Sequence, residues 1–566
     1  MTIEFLGKNI SGKFTIPSGM VTVTIDVLKK IAEEVPEIGV LTTKSIGPVI
    51  REGNPEPVYA QINKDKFTNA VGLANPGCYE FAKELATLEL PKDKFLLVSI
   101  FGGRPEDFAT VAKTVEQYAD GLELNFSCPH AEGLGQAICS SGEIAATYLK
   151  AVKEVTEKPV LCKLSPNIDN IKEVTKALIE AGADGFTAIN TVGPEKYKEP
   201  ISKEIVLSHK TGGISGNVVK DIGIEKIKLI KEACKEASKD LPIIGMGGIT
   251  TKEDIDAYEE AGANILGIGT ALTGLSTVEI KQFFANAETI KGPQCKIDDK
   301  VMKFSQLTLD KVEKRADDLV LHHYKENIQA RPGQFFFLWI PGGMEKPFAA
   351  ATVDPISFAI RVMGPFTTAM SQLIPGDNVM IRGPYGNGYT VMDDKTLQYH
   401  LIGGGTGIAP LYHLAMELSK KGIPKENIHV FLGGRNADQI YLVDEFDKIA
   451  HTHISTDDGS VGFKGFVTQA LEEYLKNNKE KTSYNYICGP EKMMKAAFDI
   501  AKEYPHKEIE ASMERYMKCG VGICGVCAMD GARTCVDGTI FKKDFLERSK
   551  FFGKLHRKKT GELEEI

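Results

Sequence analysis

Eight short apolar runs, each closed by a polar or Gly-rich turn and most followed by an amphipathic helical stretch, fill the first 290 or so residues of the chain. The runs are Gly39–Thr43, Ala70–Leu73, Phe95–Phe101, Gly121–Phe126, Val160–Leu164, Gly185–Asn190, Ile243–Met246 and Ile265–Ile268. Helical periodicity marks intervals such as Ile171–Glu180, Ile224–Glu236 and Lys252–Ala261. Alternation in this number predicts a (β/α)8 barrel rather than an open doubly wound sheet. The polar residues that stand out lie at the ends of these runs, on the face where such barrels place their chemistry: Lys44, Asn125 with Cys128, Lys163, Asn190 with Thr191, Gly247–Gly248 and Gly269–Thr270.

At 566 residues the chain exceeds one compact core, and its texture changes near residue 298. Alternating runs at Phe335–Ile340, Phe358–Val362 and Asn378–Ile381 predict a small antiparallel barrel. Strand–helix alternation then returns from His400 to about Glu503, and a cysteine-rich segment closes the chain. The expected boundaries are 1–298, 299–392, 393–507 and 508–566. A net charge of -8 argues against nucleic-acid binding, and the one basic run, Lys550 to Lys559, reads as a solvated tail. No apolar run is long enough to span a membrane and no signal peptide is seen. Cysteines gathered in one cluster rather than spread as a disulfide framework point to a reducing compartment, so a cytoplasmic protein is expected.

The cysteines are spaced Cys519-x4-Cys524-x2-Cys527-x7-Cys535, with glycines at 520, 522 and 525. The first three follow the plant-type ferredoxin spacing, in which thiolates of a tight loop hold a 2Fe–2S cluster. A four-cysteine zinc site is the alternative, although zinc prefers two paired hooks. Gly403-Gly404-Gly405-Thr406-Gly407-Ile408-Ala409-Pro410 follows an apolar strand and opens a helix, a turn that lets a pyrophosphate approach the backbone at Gly404, Thr406 and Gly407. With Gly433-Gly434-Arg435 and Cys488-Gly489-Pro490 it resembles the nicotinamide-binding half of the ferredoxin-reductase superfamily. Arg331-Pro332-Gly333-Gln334-Phe335 and Gly383-Pro384-Tyr385-Gly386-Asn387-Gly388 resemble that superfamily's flavin half, a plain structural barrel being the alternative. Cys128, in Asn125-Phe126-Ser127-Cys128-Pro129-His130, suits a general base because a thiol is easily tuned toward neutrality. Cys78, Cys162 and Cys234 read as structural. Lys163, flanked by Val160, Leu161 and Leu164, can set a positive charge beside a flavin ring.

On these residues the first domain resembles a class 1 dihydroorotate dehydrogenase. The remainder resembles the electron-transfer subunit of that family's NAD-linked branch, the two being fused here. The resemblance implies oxidation of dihydroorotate to orotate, with electrons passing from FMN through a 2Fe–2S cluster to FAD and NAD. It implies Cys128 as base and Lys44 beside flavin and substrate. Asn69, Val71, Gly72, Leu73, Asn125, His130, Asn190 and Thr191 would hold the substrate. FMN contacts fall on Ser18, Gly19, Lys44, Ser45, Asn125, Lys163, Gly216, Gly247, Gly248, Gly269 and Thr270, FAD contacts on Lys346 and Pro347, and the metal ligands are Cys519, Cys524, Cys527 and Cys535. A homodimer through the barrel is implied as well. Three departures stand out: His130 in place of a second asparagine, no Met-x-Ile-Asp in Val192–His209, and Lys346-Pro347-Phe348-Ala349 in place of Arg-Pro-x-Ser. The first two keep open an NADH-dependent reductase of uracil, thymine or another conjugated C=C bond, and the third leaves the FAD contacts open. A pure electron-transfer module is disfavoured by the joint presence of Lys44, Asn125, Cys128 and Lys163.

Overall fold

The structure is a computed structural model describing residues 2–127, 136–289, 292, 297–298 and 301–566. It divides into two compact units. One comprises Met1–Lys303 with Val521–Arg533 and Arg557–Leu563, the other Phe304–Gly520 with Thr534–His556 and Glu564–Ile566.

The first unit is built on a closed barrel of eight parallel strands: β1 (Phe14–Ile16), β2 (Ile38–Thr42), β3 (Phe95–Ile100), β4 (Gly121–Asn125), β5 (Val160–Lys163), β6 (Gly185–Ala188), β7 (Ile243–Met246) and β8 (Ile265–Gly267). Each strand pairs with its sequence neighbours, and β8 closes onto β1. One expected strand is corrected. Ala70–Leu73 is a loop, because Gly72 (φ 78°) and Leu73 (φ 56°) take left-handed backbone that no strand accommodates. Its place is taken by β1, whose three residues before Pro17 are too few to show a period.

Side-chain alternation sorts the barrel residues. Val40, Phe95, Leu97, Leu161, Ile244, Met246 and Ile265 form one cluster with Phe5 and Ile10 of the N-terminal hairpin, which plugs the barrel floor. Leu41, Leu96, Val98, Leu122, Leu124, Cys162 and Phe186 instead join the larger cluster with the surrounding helices. Burying each such side chain contributes roughly 1.5–3 kcal/mol. Two residues further along the inward face of their strands, the side chains become polar: Thr42, Ser99, Lys163 and Thr187, with Glu123, are all buried. A second, antiparallel sheet joins Tyr59–Asn63, Lys66–Asn69, Gly212–Ser215 and Val192–Glu195, pairing Asn69 with Gly213. The basic run is also corrected at one point. Arg557 is 5% exposed because its guanidinium meets Asp26 (3.3 Å) and Glu84 (2.9 Å).

In the second unit a seven-stranded antiparallel sheet, including Ser305–Ala316, Phe335–Trp339, Glu345–Ala349, Ile356–Arg361 and Asn378–Tyr385, packs around Leu307, Phe336, Leu338, Phe358 and Ile381. It is followed by a sheet whose parallel strands run in the order Phe463–Lys464, His451–Thr456, Ile428–Gly434, Gln398–Gly404, Ser483–Cys488, His506–Ser512, with Ile540–Lys542 antiparallel at the edge. Chain order reverses at Gln398–Gly404, the point where open α/β sheets bind ligands. Among the described residues no helix is long and apolar enough to cross a membrane.

Register places His400, His429 and His451 side by side across three strands of this sheet. His453 and Tyr474 pack against them, and Nδ1 of His400 lies 2.9 Å from Asn485 Oδ1. Burial pulls His400 from 6.5 down to about 4 and, with its imidazole neighbours, His429 to about 3. Folded values below the unfolded one stabilise fully above about pH 6.5 and lose that contribution as pH falls toward the folded values. Between pH 7 and pH 5 His400 alone is expected to cost the fold about 2 kcal/mol. Thermal unfolding of this sheet across that range checks it, with His400→Phe flattening the slope. A midpoint indifferent to pH rejects the account.

Candidate active site and cofactor-binding surfaces

Inside the barrel mouth one hydrogen-bonded chain links strand ends that are far apart in sequence. Ser18 Oγ lies 3.0 Å from Ser45 Oγ, which lies 2.8 Å from Ser99 Oγ. Ser99 Oγ donates to Glu123 Oε1 at 2.9 Å, and Lys163 Nζ stands 3.7 Å from the same oxygen. Asn125 Nδ2 donates to Ser45 Oγ at 2.9 Å, while its Oδ1 accepts from Ser127 Oγ at 2.9 Å. Asn190 Nδ2 donates to Ser127 Oγ at 2.8 Å, its Oδ1 accepts from Thr191 N–H, and Asn167 Nδ2 donates to the Thr191 carbonyl. The structure thus gathers Ser18, Ser45, Asn125, Lys163, Asn190 and Thr191. Sequence reasoning missed Ser99, Glu123, Ser127 and Asn167. The overlooked signal was a carboxylate two residues before Asn125 on an apolar strand, where period 2 sends both side chains to one face.

The loop carrying Val71, Gly72 and Leu73 is held by Asn54 N–H on the Val71 carbonyl (3.0 Å), Arg51 Nε on the Gly72 carbonyl (2.8 Å) and Asn75 Nδ2 on the Leu73 carbonyl (2.9 Å). Gly213 pairing brings Asn69 beside the strand that leads to Gly216. Gly216 itself abuts Gly248, since a Cβ on Gly248 would approach the Gly216 carbonyl to 2.8 Å. Asn217 ties the two turns by donating to the Gly248 carbonyl at 2.8 Å. Gly247 has φ 128°, and its carbonyl accepts from Tyr258 Oη at 2.7 Å. Gly269 and Thr270 open a short 3-10 turn after β8, and Gly19 (φ 84°) faces open space. Lys44 is half-buried and borders a cleft shared with Pro76, Phe81, Glu84, Arg557 and Thr560. Cys128 and His130 lie outside the described residues.

These residues fit FMN. The left-handed glycines leave room for a phosphate against backbone, and two buried oxygens, Glu123 Oε2 and Thr187 Oγ1, have no hydrogen-bond partner in the barrel interior.

In the second unit Gly404, Thr406 and Gly407 lie where Gln398–Gly404 turns into the helix Ile408–Lys420, with Thr406 exposed. Cys488 and Gly489 press against Gly407, where a Cβ would meet the Cys488 carbonyl at 2.5 Å, so only glycine fits. Burial pushes the Cys488 thiol up to about 12. Arg361, also missed, reaches this turn from the antiparallel sheet: Nη1 lies 3.7 Å from a Cβ position on Gly405, and buried Nη2 has no hydrogen-bond partner. Its free donor suits a dinucleotide pyrophosphate. Lys346 and Pro347 pair with Leu338 and Phe337, and Lys346 Nζ stands 5.5 Å over the Tyr516 ring.

All four cysteines of the loop are buried. Gly520, Gly522 and Gly525 have φ 77°, 74° and 63°, the wrapping a cluster loop needs. Arg382, fully buried against Glu345 (2.8 Å) and the Phe337 ring, donates Nη1 to the Cys519 carbonyl at 2.7 Å. Among the described residues no group of His, Cys, Asp and Glu is gathered as for a metal ion, so the cluster assignment rests on spacing, burial and family.

The dihydroorotate dehydrogenase family model matches residues 1–285. The chain belongs to this family. An oxidoreductase NAD-binding domain matches 401–499, and the iron-sulfur cluster binding domain of dihydroorotate dehydrogenase B matches 514–547. "Dihydroorotate dehydrogenase B (NAD(+)), catalytic subunit" of Pyrococcus abyssi is 40% identical over 275 residues, 48% of this chain and 87% of that protein. "Probable dihydroorotate dehydrogenase B (NAD(+)), electron transfer subunit" of Methanocaldococcus jannaschii is 43% identical over 233 residues, 41% of this chain and 86% of that protein. A solved NADH-dependent reduced ferredoxin-NADP oxidoreductase chain is 30% identical over 42% of this chain and 89% of its own, at a TM-score of 0.39.

Proposed function

We propose that this chain is an NAD-linked dihydroorotate dehydrogenase in one polypeptide, converting dihydroorotate and NAD⁺ to orotate, NADH and a proton. The observation that carries this is a single chain matched along its first half by catalytic subunits and along its second by electron-transfer subunits. Bound FMN supplies the hydride acceptor, the 2Fe–2S cluster a one-electron relay, and FAD the return to two-electron chemistry for the nicotinamide.

The chain's own residues do the rest. Cys128 takes the proton from the carbon beside the ring carbonyl. Asn69, Asn125 and Asn190 present amide groups to the ring and carboxylate edges, and Ser127 holds the last two in register. Lys44 supplies a cation for the substrate carboxylate. Lys163, its Nζ 3.7 Å from Glu123 Oε1, sets its ammonium group toward the flavin position. The reading extends to a cytoplasmic homodimer formed through the barrel.

The test is anaerobic turnover of holoenzyme with NAD and dihydroorotate, beside NADH with orotate, uracil and thymine. Dihydroorotate oxidation at substantial rate supports the proposal. Uracil or thymine reduction without orotate turnover replaces it by the reductase reading, with His130 as the first residue to exchange.

A further inference from the structure

The segment Val521–Arg533, which carries Cys524 and Cys527, belongs to the barrel unit. Backbone bonds dock it: Val21 N–H donates to the Ile523 carbonyl, and Gly274 N–H to the Val521 carbonyl at 2.9 Å. Gly525 lies so close that a Cβ would stand 2.6 Å from the Val21 carbonyl. Two charged side chains complete the attachment. Arg533, 0% exposed, donates Nη1 to the Gly522 carbonyl at 2.7 Å and Nη2 to the Leu275 carbonyl at 2.9 Å. Asp26 accepts Gly531 N–H through Oδ2 at 2.9 Å and Arg557 Nη2 through Oδ1 at 3.3 Å.

The anchor points have a common origin. Val21 lies in the connection after β1, with Asp26 in the first turn of the helix Ile25–Glu34 that it leads into, and Gly274 and Leu275 lie in the connection after β8. These are the two connections that carry Ser18, Gly19, Gly269 and Thr270, the expected FMN contacts. One guanidinium therefore ties the cysteine loop to the flavin-side scaffold. A planar fork can span two carbonyls in fixed geometry, which a lysine ammonium cannot reproduce.

We propose that Arg533 is a positioning residue for electron transfer: it pins the Cys524–Cys527 loop to the connections after β1 and β8 and so sets the separation between flavin and cluster. Transfer between redox centres falls steeply with distance, so a small displacement slows it while each centre keeps its own chemistry. The inference rests on the function proposed above. Its decisive readout, the rate at which NADH reduces the barrel flavin through the cluster, needs no pyrimidine.

Arg533→Lys and Arg533→Met are compared with the unsubstituted holoenzyme in the full chain. Iron and sulfide content, reduction of a dye by dihydroorotate, and reduction of a dye by NADH are measured beside dihydroorotate-to-NAD turnover and stopped-flow flavin reduction by NADH. The expected result is unchanged cluster content and dye reduction, with both coupled rates down roughly 10- to 100-fold. Unchanged coupled rates overturn the inference. So does a parallel fall of all activities, or loss of iron in both variants, which makes Arg533 a residue of folding alone. If the unsubstituted enzyme ignores dihydroorotate, the proposed function fails instead, and flavin reduction by NADH still decides the role of Arg533.

Discussion

Cys128→Ala is expected to lower dihydroorotate oxidation by about 100- to 10,000-fold, the range general-base removal costs, while dye reduction by NADH is unchanged. The split follows from where each half of the chemistry sits. Proton abstraction belongs to the barrel, whereas nicotinamide oxidation belongs to the sheet whose chain order reverses at Gln398–Gly404. Cys128→Ser sharpens the test. A hydroxyl titrates far above a thiol, so the serine enzyme should retain a residue of activity that climbs with pH beyond the point where the wild-type rate levels off. Near wild-type turnover by the alanine variant removes Cys128 from the mechanism and directs attention to another base.

The second large effect is expected at the Glu123–Lys163 pair. Both side chains are almost wholly buried, with Nζ 3.7 Å from Oε1. Glu123→Leu strands a lysine in the barrel interior and deprives Ser99 Oγ of its acceptor, at a cost of about 3–5 kcal/mol. Glu123→Leu with Lys163→Met should recover most of that stability, since two apolar side chains carry no unpaired charge. Urea unfolding of the flavin-free protein reports it, read from the barrel transition because a chain of two units need not unfold in one step. Equal losses in the single and double variants show that the pair is not coupled. The double variant, though stable, should also bind FMN poorly, because the cation proposed for the flavin position is gone. Stability and cofactor affinity thus separate in one experiment.

Legibility differed from element to element. β3, β5 and β7 were readable because continuous apolar runs ended in Gly-rich or charged turns, and parallel strands buried on both faces produce that pattern. β1 was not, since three residues are shorter than any period. Ala70–Leu73 looked like a strand by composition and became a loop through two left-handed residues, one of them a leucine. The cysteine spacing announced its chemistry directly, because ligand spacing is local. Arg382 and Arg533 gave no such sign: each acts on carbonyls distant in sequence, Cys519 for Arg382 and Leu275 for Arg533.

What the sequence determined alone was therefore everything written in local order: the alternation that makes a barrel, the turns that admit phosphates, the thiol spacing and the strand ends that carry asparagine and lysine. The tertiary structure decided which of these meet. Ser18, Ser45, Ser99 and Glu123 share one hydrogen-bonded chain, with Lys163 beside Glu123, only because sequential pairing sets β1 to β5 side by side with their inward faces in register. The docking of the Cys524–Cys527 loop on the connections after β1 and β8 was likewise invisible in sequence. It depends on one buried guanidinium, that of Arg533, satisfying carbonyls from both sides, and a carbonyl is the same in every residue.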